Sequence, residues 1–160
     1  MARAGCRDRG GAASGPRSAS ARPVRYLLDT NVVSELRRPA AAEAVRGWVR
    51  SQAVATLAIS VITVMELEIG VHRVERRDPD QGEVLRRWLE QRVLTAFRDR
   101  VLPVDLAVAR RAAELHVPHP GPERDSLIGA TALVHGLTVV TRNVRDFAAA
   151  SVPLLNPWET

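Results

Sequence analysis

The chain has 160 residues, 46% of them hydrophobic, enough for one domain with a sizeable core. No apolar run approaches the roughly 18 residues of a membrane span. A single cysteine, Cys6, excludes a disulfide framework and a cysteine-rich zinc site, so the cytoplasm is the expected compartment.

Aromatic residues make up only 4%, which argues against a stacking platform for single-stranded nucleic acid. The net charge is +5, but it is unevenly spread. Arg3, Arg7, Arg9, Arg17 and Arg22 against Asp8 give residues 1–23 a net +4 and leave residues 24–160 at +1. The folded part is nearly neutral. All 23 basic residues are Arg, which GC-rich codon usage explains more simply than a selected phosphate-binding surface.

Residues 1–23 are Ala, Gly, Ser, Arg and Pro without periodic apolar positions, and disorder is expected there. They lack the apolar stretch of a secretory signal. Their Arg-rich, acid-poor composition resembles a transit peptide but lacks its helical apolar face. Val24 immediately precedes the first strand, so a start near Val24 is expected for the native protein; mass spectrometry of its N-terminus tests this. A basic arm that touches nucleic acid is the alternative.

The folded domain is expected over residues 24–160, as strand alternating with helix. Val24–Leu28 reads as a strand and Val32–Arg38 as a helix stopped by Pro39. Ala41–Gln52 is amphipathic, with Val45, Trp48 and Val49 on one side. Thr56–Ser60 reads as the second strand, with Ser60 capping a helix over Val61–Val74. Asp78-Pro79-Asp80 reads as a loop before a helix over Gln81–Phe97, buried through Val84, Leu85, Trp88, Leu89 and Val93. A third strand at Val101–Val104 leads to a helix over Leu106–Leu115, with Asp105 as its N-cap. A proline-rich loop, 116–122, precedes a helix over Arg124–His135. Strands follow at Thr138–Thr141 and near Val152–Leu155. Strands separated by helices imply a parallel sheet covered on both faces.

Sites in such sheets lie at the carboxyl ends of the strands. Asp29 follows the first strand directly. Glu66 lies two turns into the helix leaving the second, on one face with Ile62, Ile69 and Gly70. Glu68 is about 200° round that helix and falls outside the site. Asp125 opens a helix rich in small residues, and Asp146 comes five residues after Thr141. Each acid has a plainer reading. Asp29 and Asp125 suit helix starts, and Asp146 suits a solvated loop. Glu66 is hardest to explain so, because an apolar helix face rarely hosts an unpaired carboxylate. Clustered carboxylates need a positive partner, and a hard divalent cation is the usual one. Metal-dependent phosphodiester chemistry is the reading they favour.

Other classes fit less well. A receiver domain or a haloacid-dehalogenase-type phosphatase needs a lysine that this chain lacks, and position 31 is Asn where the phosphatase needs a second Asp. There is no GxxxxGK[ST] loop and no G-x-S-x-G elbow. The histidines His72, His116, His119 and His135 show no metal-ligand spacing.

The segments Tyr26-Leu-Leu-Asp29-Thr30-Asn31-Val-Val-Ser-Glu-Leu-Arg37 and Ser60-Val-Ile-Thr-Val-Met-Glu66-Leu-Glu-Ile-Gly70 carry a family resemblance. So do Asp125-Ser-Leu-Ile-Gly-Ala-Thr-Ala132, Thr138-Val-Val-Thr141-Arg-Asn143-Val-Arg-Asp146-Phe147 and Leu155-Asn156-Pro157-Trp158. In this order the chain resembles the PIN-domain ribonucleases, in particular VapC-type toxins of toxin–antitoxin modules, including the FitB-like branch. The resemblance runs from about Val24 to Trp158. It implies a three-layer α/β/α fold with a mostly parallel sheet of four to five strands. It also implies one or two Mg2+ or Mn2+ ions held by Asp29, Glu66, Asp125 and Asp146, with Thr30, Thr141 and Asn143 as polar neighbours. An endoribonuclease activity, an RNA substrate, a silencing antitoxin and a homodimer follow from it as expectations, as do products with 5′-phosphate and 3′-hydroxyl ends. Where the family often has Asp-Ala at its third acid, this chain has Asp125-Ser126, and the N-terminal extension is unusual.

The rival from another class is a PIN-fold binding module whose role is to hold a partner. Leu36, Val45 and Trp48 would then form an apolar groove for a partner helix, though for Trp48 a core position is the plainer expectation. The intact acid set argues for the enzyme. The sequence does not name the RNA, whose choice would rest with surface loops and arginines such as Arg37, Arg38, Arg73, Arg76 and Arg77.

Overall fold

A computed structural model describes residues 23–117 and 120–159. The expectations for residues 1–22 and for His119 lie outside the described residues. The elements, in chain order, are β1 (Tyr26–Leu28), α1 (Thr30–Arg37), α2 (Glu43–Ser51), β2 (Leu57–Ser60), α3 (Val61–Arg77) and α4 (Pro79–Trp88). After them come β3 (Val101–Leu102), α5 (Leu106–Leu115), α6 (Glu123–His135), β4 (Thr138–Val140) and β5 (Leu154–Leu155).

The strand order is β3-β2-β1-β4-β5, and every pairing is parallel. The expected sheet of four to five strands thus has five among the described residues, all parallel rather than mostly so. Register and side-chain alternation together produce the layers. Leu27 pairs with Ala58 and Val139, and Leu28 with Ile59 and Val140. Successive residues point to opposite faces of a strand, so these two rows nucleate two cores. Leu28, Ile59 and Val140 pack with Val32, Val33 and Val45 of the first helices, Leu67 and Val71 of α3, and Leu89 and Val93. Leu27, Ala58 and Val139 pack with Ile128 and Ala132 of α6, and with Phe147 and Ala150. Burying each of the larger side chains contributes about 1.5–3 kcal/mol. Helix, sheet and helix therefore form three layers.

Several elements differ from expectation for local reasons. α1 begins at Thr30 because Asp29 caps it. Asp78-Pro79 is a helix start rather than a loop: Asp78 accepts from the Gln81 backbone N–H at 3.1 Å, and Pro79 takes the first helical position. Val84 is 54% exposed and lies off the core face, while Leu85, Trp88, Leu89 and Val93 pack in the core as expected. The helix over Gln81–Phe97 is not uniform either, since Leu89–Leu94 is a π-helical turn. Asp105 caps α5 as expected, accepting from Val108 N–H at 2.9 Å.

The anticipated groove of Leu36, Val45 and Trp48 is not one. Val45 is fully buried, and Trp48 stacks edge-on against Tyr26, with ring centroids 5.1 Å apart. Leu36 instead lines an apolar cavity of about 190 Å³ with Val33, Trp88 and Phe97. Among the described residues no helix is long and apolar enough to cross a membrane.

Candidate active site

The chain leaves β1 outward through β2 to β3, then returns on the other side with β4 and β5. The crevice at the carboxyl ends of β1 and β4 is therefore where the order reverses, the place where open α/β sheets bind ligands. Asp29 stands there directly after β1, its N–H donating to Val140 O of β4 at 3.0 Å. Thr141 follows β4 in the same position, with its N–H on Leu155 O at 3.0 Å.

These two residues are locked together. Asp29 is only 5% exposed and Thr141 is fully buried. The Thr141 hydroxyl donates to Asp29 Oδ2 at 2.7 Å, and accepts from Asn31 Nδ2 at 2.9 Å and from Asn143 N–H at 3.0 Å. Asn31 Nδ2 also donates to Asp29 Oδ2 at 2.7 Å, and the Thr30 N–H donates to Oδ1 at 2.6 Å. Asp29 is thus both a helix cap and a cleft carboxylate, so the two sequence readings coexist. Burial pushes its pKa up; the bonds from Thr141 and Thr30 oppose that, and the charges of Glu66 and Asp146 reinforce it.

Asp29, Glu66 and Asp125 line one cavity of about 440 Å³ with Thr30, Asn31 and Asn143. Glu66 projects from α3 and is held from two sides. The Thr30 hydroxyl donates to one carboxylate oxygen, and Arg124 of α6 approaches the other at 3.4 Å. Asp125 lies in the first turn of α6. Burial, followed by the charges of Asp29, Asp146 and Glu66, raises its pKa to about 6, with Arg124 opposing. α6 sits close because Gly129 abuts its neighbours: a Cβ there would meet Ala150 Cβ at 3.3 Å.

Asp146 is the outlier of the four. It is exposed, in a 3-10 segment over Val144–Ala150, and lines an adjoining cavity that shares Asn143 with the first. It acts on Asp29 and Asp125 through its charge. Glu68 is turned away, as expected, and pairs with Arg86 at 2.6 Å. His72 joins that pair through Glu75 at 3.0 Å, which agrees with a structural role.

Two of the residues here, Asn31 and Arg124, had no site role in the sequence reading, whereas Arg73 was named there for target choice. Asn31 was read only as the wrong residue for a phosphatase, yet it brackets Asp29, Thr141 and the Arg142 N–H, the last at 3.4 Å. Arg124 and Arg73 are the cations lining the cavity. A polar residue two positions after a strand-end acid was the available signal for Asn31.

The donor set bears on the expected metal. Among the described residues no group of three or more His, Cys, Asp or Glu is arranged to hold an ion as it stands. Glu66 is drawn to Thr30 and Arg124, and Asp146 faces the next cavity, which accounts for this. The chemistry of the set nevertheless suits a hard divalent cation. Its acids supply oxygen alone, and Asp29 and Asp125 have raised pKa values with no guanidinium bonded to either.

Comparison with known proteins agrees with the fold. The PIN domain profile matches residues 26–152, and the chain belongs to the PIN-domain family. Within that family it is similar to a protein named VapC ribonuclease Y4jK from Sinorhizobium fredii, 38% identical over 138 residues, covering 83% of this chain and 97% of that one. It is also 41% identical over 137 residues to Toxin FitB of Neisseria gonorrhoeae, covering 82% and 97%. Among solved structures, the crystal structure of FitAcB from Neisseria gonorrhoeae superposes with a TM-score of 0.79 at 38% identity, covering 84% of this chain and 99% of that chain.

Proposed function

We propose that this PIN domain is an Mg2+- or Mn2+-dependent endoribonuclease of the VapC and FitB toxin type, which hydrolyses RNA phosphodiester bonds. The observation that carries the reading is the convergence of Asp29, Glu66 and Asp125 on one polar cavity at the strand ends. Asp146 completes the set from the rim. Similarity to proteins named as a VapC ribonuclease and as a toxin supports it.

Asp29 and Asp125 are the residues that would hold a divalent ion, with Asp146 and Glu66 as further oxygen donors. Such an ion, when bound, would make its water more acidic than bulk water and neutralise charge on the phosphoryl group. The protein's own contribution is preorganisation. Thr141 and Asn31 fix the Asp29 carboxylate, so none of its orientation is lost when the substrate arrives. Thr30 fixes Glu66 from the neighbouring helix. Arg124, on the wall of the same cavity, would meet the incoming phosphate.

Hydrolysis of this kind leaves 5′-phosphate and 3′-hydroxyl ends. Incubating RNA with the protein and Mg2+ and analysing the product ends tests the reaction type. A 2′,3′-cyclic phosphate would mean attack by the ribose hydroxyl and overturn it.

A partner role has its own observation. The apolar cavity of Val33, Leu36, Trp88 and Phe97 suits a side chain of an apolar helix face. We assign it to a cognate antitoxin, a role compatible with the nuclease. Residues 24–160 are assigned to the PIN domain, with residues 1–23 as an extension outside it, and a homodimer is the expected assembly.

A further inference from the structure

The cavity that holds the acids continues beyond them. Along α3, Glu66, Gly70, Arg73 and Arg77 recur at i, i+4, i+7 and i+11, a spacing that keeps side chains on one helix face. The first three line the acid cavity, and Arg77 lines a second cavity of about 250 Å³. α1 repeats the pattern from across the gap: Asn31 and Ser34 border the acid cavity, and Arg37 borders the second. The two helices pack against each other, so they form the walls of one groove. It runs about 16 Å from Glu66 to Arg77 at 1.5 Å per residue.

Charge changes sign along its length. Carboxylates crowd one end, Arg73 stands exposed at the edge of the acid cavity, and Arg77 and Arg37 stand exposed at the other end. Among the described residues Arg73 and Arg77 make no ion pair, unlike Arg38, Arg86, Arg111 and Arg124. Arg37 lies over Trp88, 5.9 Å from the ring centroid, which steadies the guanidinium at the wall and leaves its N–H groups for an acceptor. Asp78 is the one carboxylate among the residues lining the far cavity, and it is occupied in capping α4.

A polyanion held only at the acids would meet repulsion, so its binding energy has to come from beyond them. We infer that the α1–α3 groove carries the phosphates flanking the scissile bond of a single-stranded RNA, with Arg73, Arg77 and Arg37 as positioning residues. This rests on the ribonuclease reading above. Packed helices have axes about 8–10 Å apart, so the surface furrow along their seam is narrow enough to follow one strand and too narrow for a duplex. Guanidinium–phosphate contacts set register and affinity but carry no sequence information. The groove therefore orients the RNA, and base choice lies elsewhere.

The test uses the full chain. In an Asp29→Asn background, binding of a fluorescent single-stranded RNA is followed by anisotropy across a salt series. The same arginine changes are made in the active protein for steady-state cleavage. The double variant Arg73→Gln/Arg77→Gln should flatten the slope of log K against log salt by about 1.4, at about 0.7 per lost contact. In the active protein KM should rise at least about tenfold with kcat within about twofold. Arg110→Gln, on exposed α5 and lining neither cavity, should leave slope and KM unchanged.

An unchanged slope in the double variant overturns the inference, as does an equal loss in Arg110→Gln, which would mark general electrostatics. If the double variant keeps its RNA slope but loses binding to a polyglutamate peptide, the groove belongs to an acidic protein segment and the inference also fails. A parent protein that neither binds nor cuts RNA brings down the ribonuclease reading and the groove with it. A parent that cuts RNA while its variants are unimpaired brings down the groove alone.

Discussion

Asp125 and Asp29 are raised for the same reason but held differently. Asp29 has Thr141, Asn31 and the Thr30 N–H on its oxygens, and these offset much of its burial. Asp125 has burial and three like charges against it, with Arg124 alone in its favour. Its folded pKa, about 6, lies above the ordinary 3.8. The ionised group therefore destabilises the metal-free fold fully above the folded value, and the penalty disappears below the unfolded one. Thermal melts of metal-free protein should show a gain in stability as pH falls from 7 toward 5. Asp125→Asn should reduce that gain, leaving the part due to Asp29, and raise stability at pH 7.5 by about 1 kcal/mol, once solvent screening of a half-buried site is allowed for. The same variant should lose RNA cleavage. A melt indifferent to both pH and the substitution would mean that Asp125 is solvated.

Thr141 is the opposite case, since every hydrogen-bonding capacity of its hydroxyl is used. Thr141→Val should cost about 1–3 kcal/mol, by leaving buried partners short of a bond. Urea unfolding measures it, and a loss within about 0.3 kcal/mol would show that the network contributes nothing beyond its shape. Asp29 was legible as a candidate-site residue because strand end and acid coincide in the sequence. The bridge from Asn31 to Thr141 and the role of Arg124 were not, because those partners lie 110 and 58 residues away and depend on the β1–β4 register and the α3–α6 packing.

At the level of elements, α3 is the pivot: it supplies Glu66 to the cavity and carries α4 on its other side. Arg86 of α4 bonds Glu68 at 2.6 Å and Glu75 at 3.1 Å, and the helices close to contact at Gly82. A Cβ at Gly82 would stand 2.6 Å from the Glu75 Cα, a backbone atom that has no room to move aside. Gly82→Ala should therefore destabilise by about 1–3 kcal/mol despite alanine's better helix propensity. A gain in melting temperature would contradict this packing.

Local signals explain which elements could be read in advance. α5 matched from Leu106 to Leu115 because Asp105 caps it visibly. Asp78-Pro79 was misread because the same residues mark both turns and helix starts, and only the docking of α4 on α3 decides between them. Val84 was misplaced because its apolar neighbours suggested one helix face, while Leu85, Trp88 and Leu89 face the core. The Leu89–Leu94 π-turn has no composition signal at all.

On the scale of the whole molecule, alternation of strand and helix fixed the layer plan, and the strand order decided where chemistry is placed. β1 at the centre puts Asp29 beside Thr141 just after β4, while α3 and α6 bring Glu66 and Asp125 over the same edge. Four segments far apart in sequence thus supply one candidate site. Its central claim is that these acids perform metal-dependent RNA cleavage. The direct measurement is cleavage of end-labelled RNA and DNA by purified protein in Mg2+, Mn2+ or EDTA, with Asp29→Asn alongside. RNA alone should be cut, EDTA should stop it, and the variant should fall by at least about 100-fold. Equal cutting by wild type and variant, or cutting that survives EDTA, would contradict the claim.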